Sequence, residues 1–134
     1  MKRISFLLIM LFILLSITSC KKDEYKKYNV GEEKEFINQI YDYIDNNKEY
    51  CLIDVRDLET EYAQGHFKGF INYNIEKGST NEFVYKIKSM YSKEKAIFII
   101  DKDGSNVEEL MNVLKEEGYQ MITKYILQKL EEVV

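Results

Sequence analysis

Along the chain, apolar residues recur with two alternating rhythms. Phe36, Ile37, Ile40, Tyr41 and Ile44 fall on one face of a helix. The run CLIDV at 51–55 is short and apolar enough to be a buried strand. Helical spacing returns at Phe83, Val84, Ile87, Met90 and Tyr91, behind Ser79-x-x-Glu82, which has the pattern of a capping box. AIFII at 96–100 is a second buried strand, with no polar alternation. Val107, Leu110, Met111 and Leu114 form a third helical face, behind a second capping-box pattern, Ser105-x-x-Glu108, with Gly118 placed to end that helix. Residues 120–123 predict a short final strand. Tyr125–Val134 predict a final helix with Ile126, Leu127, Leu130 and Val133 turned inward. Helices alternating with wholly apolar strands predict an α/β fold, a small parallel sheet covered on both faces in a three-layer α/β/α arrangement. Ligands of such sheets sit beyond the carboxyl ends of the strands. Two loops occupy such places here, one after Val55 and one after Ile100.

The start of the chain has a different character. Lys2 and Arg3 precede ten apolar residues, Phe6–Leu15. Spanning a bilayer core of about 30 Å as a helix takes about 20 residues, so the run suits the apolar stretch of a secretory signal instead. Ile17-Thr18-Ser19-Cys20 follows and resembles the lipobox of bacterial lipoproteins, with Ile17 where Leu is usual. The resemblance implies a signal peptide over 1–19, cleavage before Cys20, a diacylglycerol thioether on its sulfur and a fatty acid such as palmitate on its amine. Chains of that kind anchor a protein stably to a cell membrane or outer membrane, with the domain outside the cytoplasm. Lys21–Val30, KKDEYKKYNV, is charged and lacks hydrophobic periodicity, so residues 20–30 read as a lipidated cysteine with a solvated tether. The domain is then 31–134, and no repeat or second domain is visible.

Composition narrows the function. The whole chain carries a net charge of −4, and without Lys2 and Arg3 it carries −6, with 23 acids against 17 bases. An acidic chain with no basic stripe excludes nucleic acid as a natural partner and an electrostatic hold on anionic lipid. Beyond Cys20 the chain has a single histidine, His66, and a single arginine, Arg56. Cys51 is the one remaining thiol, at the start of a core strand. It reads as a small buried hydrophobe, with no internal disulfide available to it.

Residues 52–72 read LIDVRDLETEYAQGHFKGFIN. This closely resembles the signature of the rhodanese-like domain: an apolar strand ending Asp-x-Arg, an acidic Glu-Tyr turn, then Gly-His-x-x-Gly-x-Ile-Asn. Asp54, Arg56, Glu61, Tyr62, Gly65, His66, Gly69, Ile71 and Asn72 match in register. The later loop and helix agree as well, so the resemblance covers about residues 32–123. It implies the rhodanese-like fold, with Asp54, Arg56, Glu61, Gly65, His66 and Gly69 serving mainly as scaffold. Read without the family, a lone Arg56 at a strand end is best placed as a bidentate partner for a carboxylate, with Glu61 a candidate. Gly65 and Gly69 allow tight turns around His66, which reads as a hydrogen-bonding loop residue rather than a general acid or base.

Rhodaneses move sulfane sulfur as a persulfide on a cysteine that ends the central strand and opens a Cys-x-x-Gly loop. Amides and the helix dipole there favour an anion. Aligned on Gly104, that position holds Asp101, and the loop reads Asp101, Lys102, Asp103, Gly104, Ser105, Asn106. A carboxylate cannot hold a transferable persulfide. The related phosphatases use Cys-x5-Arg, and their Arg position here is Val107. The expectation is a domain without a catalytic residue, in which Asp101 supplies its own charge to the anion cradle.

Two further chemistries are weak. Asp101-x-Asp103-x-Ser105 has the spacing of an EF-hand start, but Asn106 and Asn112 stand where Gly and a bidentate Glu are required. His66 with Cys51 cannot make a closed zinc site. No metal and no cofactor is expected. The sequence therefore predicts a membrane-anchored, non-enzymatic binding module for a protein or peptide of the cell envelope. The alternatives are residual sulfur transfer through Cys51 or an unrecognised group, and a purely structural lipoprotein domain. The end of the chain departs from the family, which commonly closes with a Gly-Gly turn and an aromatic.

Overall fold

A computed structural model describes residues 23–46, 48–75 and 78–128. Residues 1–22, with the signal segment and Cys20, and residues 129–134, with most of the expected final helix, lie outside the described residues.

The elements are β1 (Glu24–Asn29), α1 (Glu33–Asp45), β2 (Tyr50–Asp54), a π-helical turn (Leu58–Tyr62), β3 (Ile71–Asn72), α2 (Thr80–Met90), β4 (Ala96–Asp101), α3 (Ser105–Glu116) and β5 (Met121–Ile126). All five strands are parallel, in the order β1-β5-β4-β2-β3. Parallel neighbours need crossover connections, and the helices supply them.

β4 explains why its sequence lacks alternation. Its six residues are all buried. Ile97 and Ile99 face one cluster with Phe83 and Ile87 of α2 and Leu110 and Leu114 of α3. Ala96, Phe98 and Ile100 face another with Phe36, Ile40 and Tyr43 of α1 and Tyr125 of β5. The sheet is thus covered on both sides, the three-layer arrangement expected from its apolar strands.

Three local expectations are corrected. Of the segment read as a tether, Glu24–Asn29 is an edge strand, paired along its length with β5 from Glu24↔Met121 to Asn29↔Ile126. Its lysines disguised it, because an edge strand is held by backbone bonds to a single neighbour and can carry exposed, charged side chains. Tyr125 and Ile126 do not begin a helix; they complete β5, with Tyr125 fully buried and stacked on Phe36 at 5.0 Å. On α1 the buried face is Phe36, Ile40 and Tyr43, whereas Tyr41 and Ile44 are exposed.

Helix ends follow their signals unevenly. Ser79 Oγ accepts the Glu82 amide at 3.1 Å, as a cap should. Gly118, at φ +94°, closes α3: its amide reaches the Lys115 carbonyl and the Tyr119 amide the Leu114 carbonyl, a Schellman pair. Ser105, by contrast, is not the cap of α3. That place belongs to Gly104, in the left-handed region at φ +89° and without a capping side chain.

Candidate functional site

The carboxyl ends of β2 and β4 lie side by side, since Asp54 pairs in register with Ile100. Asp54 ends β2 with no exposed surface, and its charge is met within two residues. Arg56 Nε donates to Asp54 Oδ1 at 2.9 Å and Arg56 Nη2 to Asp54 Oδ2 at 2.6 Å. This fork is the bidentate geometry a lone arginine favours. Glu61 is not the partner of Arg56. It accepts instead from the Lys102 ammonium at 3.1 Å and from the Asp57 amide at 3.2 Å, because the turn carries it across the cleft toward the loop after β4.

Arg56 also donates to the Gly65 carbonyl at 2.9 Å, which holds the glycine loop against the strand end. Within that loop His66 lies flat on Tyr62, ring centroids 3.8 Å apart, and its Nδ1 is 3.0 Å from the Tyr62 carbonyl oxygen. Tyr62 in turn donates to the Phe70 carbonyl at 2.6 Å. Asn72 donates to the carbonyls of Asp54 and Arg56 at 3.1 and 2.8 Å. Gly69, at φ +90°, makes the turn into β3 in a conformation other residues rarely adopt. The motif residues thus brace one another.

Asp57 is a site residue that pattern reading missed. Its Oδ1 accepts from the amides of Glu59 and Thr60 and from the Thr60 hydroxyl, at 3.0, 2.8 and 2.8 Å. Asn74 donates to its Oδ2 at 3.0 Å. Thr60, above all, pulls the Asp57 carboxyl down to about 2. Asp57-x-x-Thr60 at the head of a turn was the available signal, an aspartate placed to cap amides two and three residues on.

Across the cleft, Asp101 ends β4 and is almost wholly buried. Its Oδ1 accepts from the Lys102 amide at 2.7 Å. Its Oδ2 accepts from the amides of Asn106 and Val107, each at 3.1 Å. Those two amides are at the second and third positions of α3, which a capping side chain normally serves. Asp101 serves them from five and six residues upstream, so Ser105 is left to bond Asp103: its amide and hydroxyl reach Asp103 Oδ1 at 3.0 and 2.7 Å. Those Ser105 bonds lower the Asp103 carboxyl below its usual range. The chain leaving β5 pins the loop from behind, Leu127 N to the Asp101 carbonyl at 3.1 Å and Gln128 N to the Lys102 carbonyl at 2.7 Å.

Between the two strand ends lies a cleft of about 180 Å³, lined by Arg56, Asp57, Glu61, Asp101, Lys102 and Asp103 among others. Beside it, Arg56, Gly65, His66, Phe67 and Leu127 line a shallower groove of about 220 Å³. The cleft is dominated by carboxylates, and its two cations are engaged, Arg56 by Asp54 and Lys102 by Glu61. The calcium spacing does not become a site: Asp101 turns in to backbone amides and Asp103 to Ser105. No cluster of three histidine, cysteine or acidic residues suited to a metal occurs among the described residues.

Cys51 lies apart from these groups, near the start of β2 and three residues before Asp54. It is buried, and burial pushes its thiol up from the ordinary value. A raised pKa keeps the thiol protonated and poorly nucleophilic.

No curated protein and no solved structure matches the chain. A family model does, the rhodanese-like domain, over residues 37–128. That span takes in the Asp54–Asn72 motif, the central strand and the Asp101 loop, and on it the chain belongs to the rhodanese-like domain family.

Proposed function

We propose that this chain is a lipid-anchored, non-enzymatic rhodanese-like module that binds a protein or peptide partner in the cell envelope. The loss of catalysis is argued from one observation: the amides of Asn106 and Val107 at the head of α3, with that of Lys102 in the loop before it, already hold the carboxylate of Asp101. Sulfur transfer needs a thiolate at that point, and oxygen there cannot accept and release sulfane sulfur. Small anions must also compete with a covalently attached carboxylate for the same amides. The anchoring half of the proposal rests on the lipobox-like Ile17–Cys20.

The test is thiosulfate-to-cyanide sulfur transfer by the detergent-solubilised full chain. No turnover above the protein-free rate is expected. Clear turnover that Cys51→Ser abolishes would overturn the binding-only reading in favour of an enzyme. Pull-down from envelope extract, compared with a chain carrying disruptive substitutions in the cleft, then separates binding from a purely structural role. A second variant probes the cradle. Asp101→Cys is expected to give a thiol titrating well below the ordinary value of about 8.5, because the same amides face it. The measure is thiolate absorbance against pH, and a thiol that titrates like free cysteine shows that the amides do not form a working cradle.

A further inference from the structure

The placement of β1 changes what anchoring means for the cleft. If Lys21–Val30 were a free tether, the domain could tumble at any angle above the lipid. But β1 begins at Glu24, so only Lys21, Lys22 and Asp23 separate it from Cys20. Four residue steps reach at most about 14 Å.

Glu24 is fixed at one end of the sheet. Its amide donates to the Gln120 carbonyl at 2.7 Å, and the Gln120 amide to the Lys93 carbonyl at 3.4 Å. The Ala96 amide bonds the Glu49 carbonyl at 3.1 Å. These residues begin or directly precede β1, β5, β4 and β2, and because every strand is parallel they share one level. The cleft residues Asp54 and Asp101 share the opposite level, at the strand ends. Five residue steps of strand separate the two levels by about 17 Å.

We infer that the end of the domain where the strands begin rests on the lipid surface, and that the Asp54–Asp101 cleft opens away from it. This rests on the proposed lipidation of Cys20. The partner of the cleft is then a soluble protein or a distal domain, approaching from the aqueous side rather than along the bilayer. Lipid charge does not set the orientation. At this end Lys48, Lys88, Lys93 and Lys95 stand against Glu49, Glu94 and Glu117, with Glu117 paired to Lys88 at 2.6 Å, and in the link Lys21 and Lys22 are balanced by Asp23 and Glu24, so only a small positive excess remains. The three-residue link sets it, so the same orientation is expected on neutral and on anionic membranes.

The test uses the full lipidated chain in phosphatidylcholine vesicles carrying a headgroup quencher, with and without phosphatidylglycerol. A fluorophore is placed at Ser92→Cys, at the strand-start end, or at Ala63→Cys, after the turn beside the cleft; both positions are exposed. Cys51 is buried, so the parent chain serves as the labelling blank. Quenching at position 92 is expected to exceed that at position 63 several-fold on both membranes. Inserting about ten Gly/Ser residues after Lys22 extends the reach to about 50 Å and should bring the two signals toward equality. Equal quenching without the insertion, stronger quenching at position 63, or a ratio indifferent to the insertion overturns the orientation. Failure of the anchor itself is read separately. A wild-type chain lacking the lipid mass, or a Cys20→Ser chain that still sediments with membranes, removes the lipidation reading and this inference with it.

Discussion

At the residue scale, charge placement at the strand ends decides what the site can be. Arg56, partly exposed, forks onto the fully buried Asp54, and removing the arginine leaves that buried charge uncompensated. Arg56→Ala is expected to destabilise the fold by about 3–5 kcal/mol, as for other broken buried pairs, and to free the Gly65 loop. Urea denaturation measures the first effect and amide exchange around Gly65 the second. Asp57 sets part of the acid response. Its folded pKa of about 2 lies below the ordinary aspartate value of 3.8, so its contribution is complete above about pH 4 and is lost as pH falls toward 2. Asp57→Asn should flatten the fall in urea midpoint across that interval; an unchanged slope assigns the acid lability to other carboxyls. The fork itself was half legible in the sequence. A lone arginine after a buried strand predicts a bidentate carboxylate, with Glu61 the candidate the sequence offers. Only the path of the turn shows that Asp54, two residues away, takes it.

Among the elements, legibility followed burial. β2, β4 and α3 could be read because the parallel sheet packs them on both sides or along a full stripe, leaving unmixed apolar runs. β1 could not, since its contribution is a ladder of backbone bonds to β5 and its side chains are largely solvent-facing. Lys124 interrupts the apolar pattern of β5, so the sequence predicts a strand that ends at Thr123. That lysine is buried and paired with Glu108 of α3, and burial, with Lys27 beside it, lowers its pKa. A lysine satisfied inside a sheet looks, in sequence, like the end of a strand. The head of α3 misled in a related way. Ser105-x-x-Glu108 has the spacing of a cap, yet Asp101 had already claimed the amides. The backbone turn that makes this possible is Gly104, at φ +89°, where an added Cβ would also lie 3.3 Å from Ile126 Cδ1. Gly104→Ala is therefore expected to cost about 1–2 kcal/mol and to loosen the Asp101 bonds. A thermal melt reports the first; protection of the Asn106 and Val107 amides reports the second, and full protection in the variant would show the turn to be more tolerant than its dihedral suggests.

For the molecule as a whole, the sheet separates two apolar clusters, one under α1 and one under α2 and α3, and β4 belongs to both. Neither cluster can open without disturbing that strand, so the domain should unfold in a single step. Cys51 sits in the cluster under α2 and α3 beside Tyr91, whose own hydroxyl burial pushes up to about 12. A thiol so shielded is a built-in clock. Its reaction with a maleimide in native buffer can proceed only through openings of the core, and the trapping rate should therefore follow the unfolding equilibrium as urea is raised. Outside a reducing compartment the same shielding has a protective sense: folded copies keep Cys51 out of each other's reach, and covalent dimers through it would mark molecules that had already come apart.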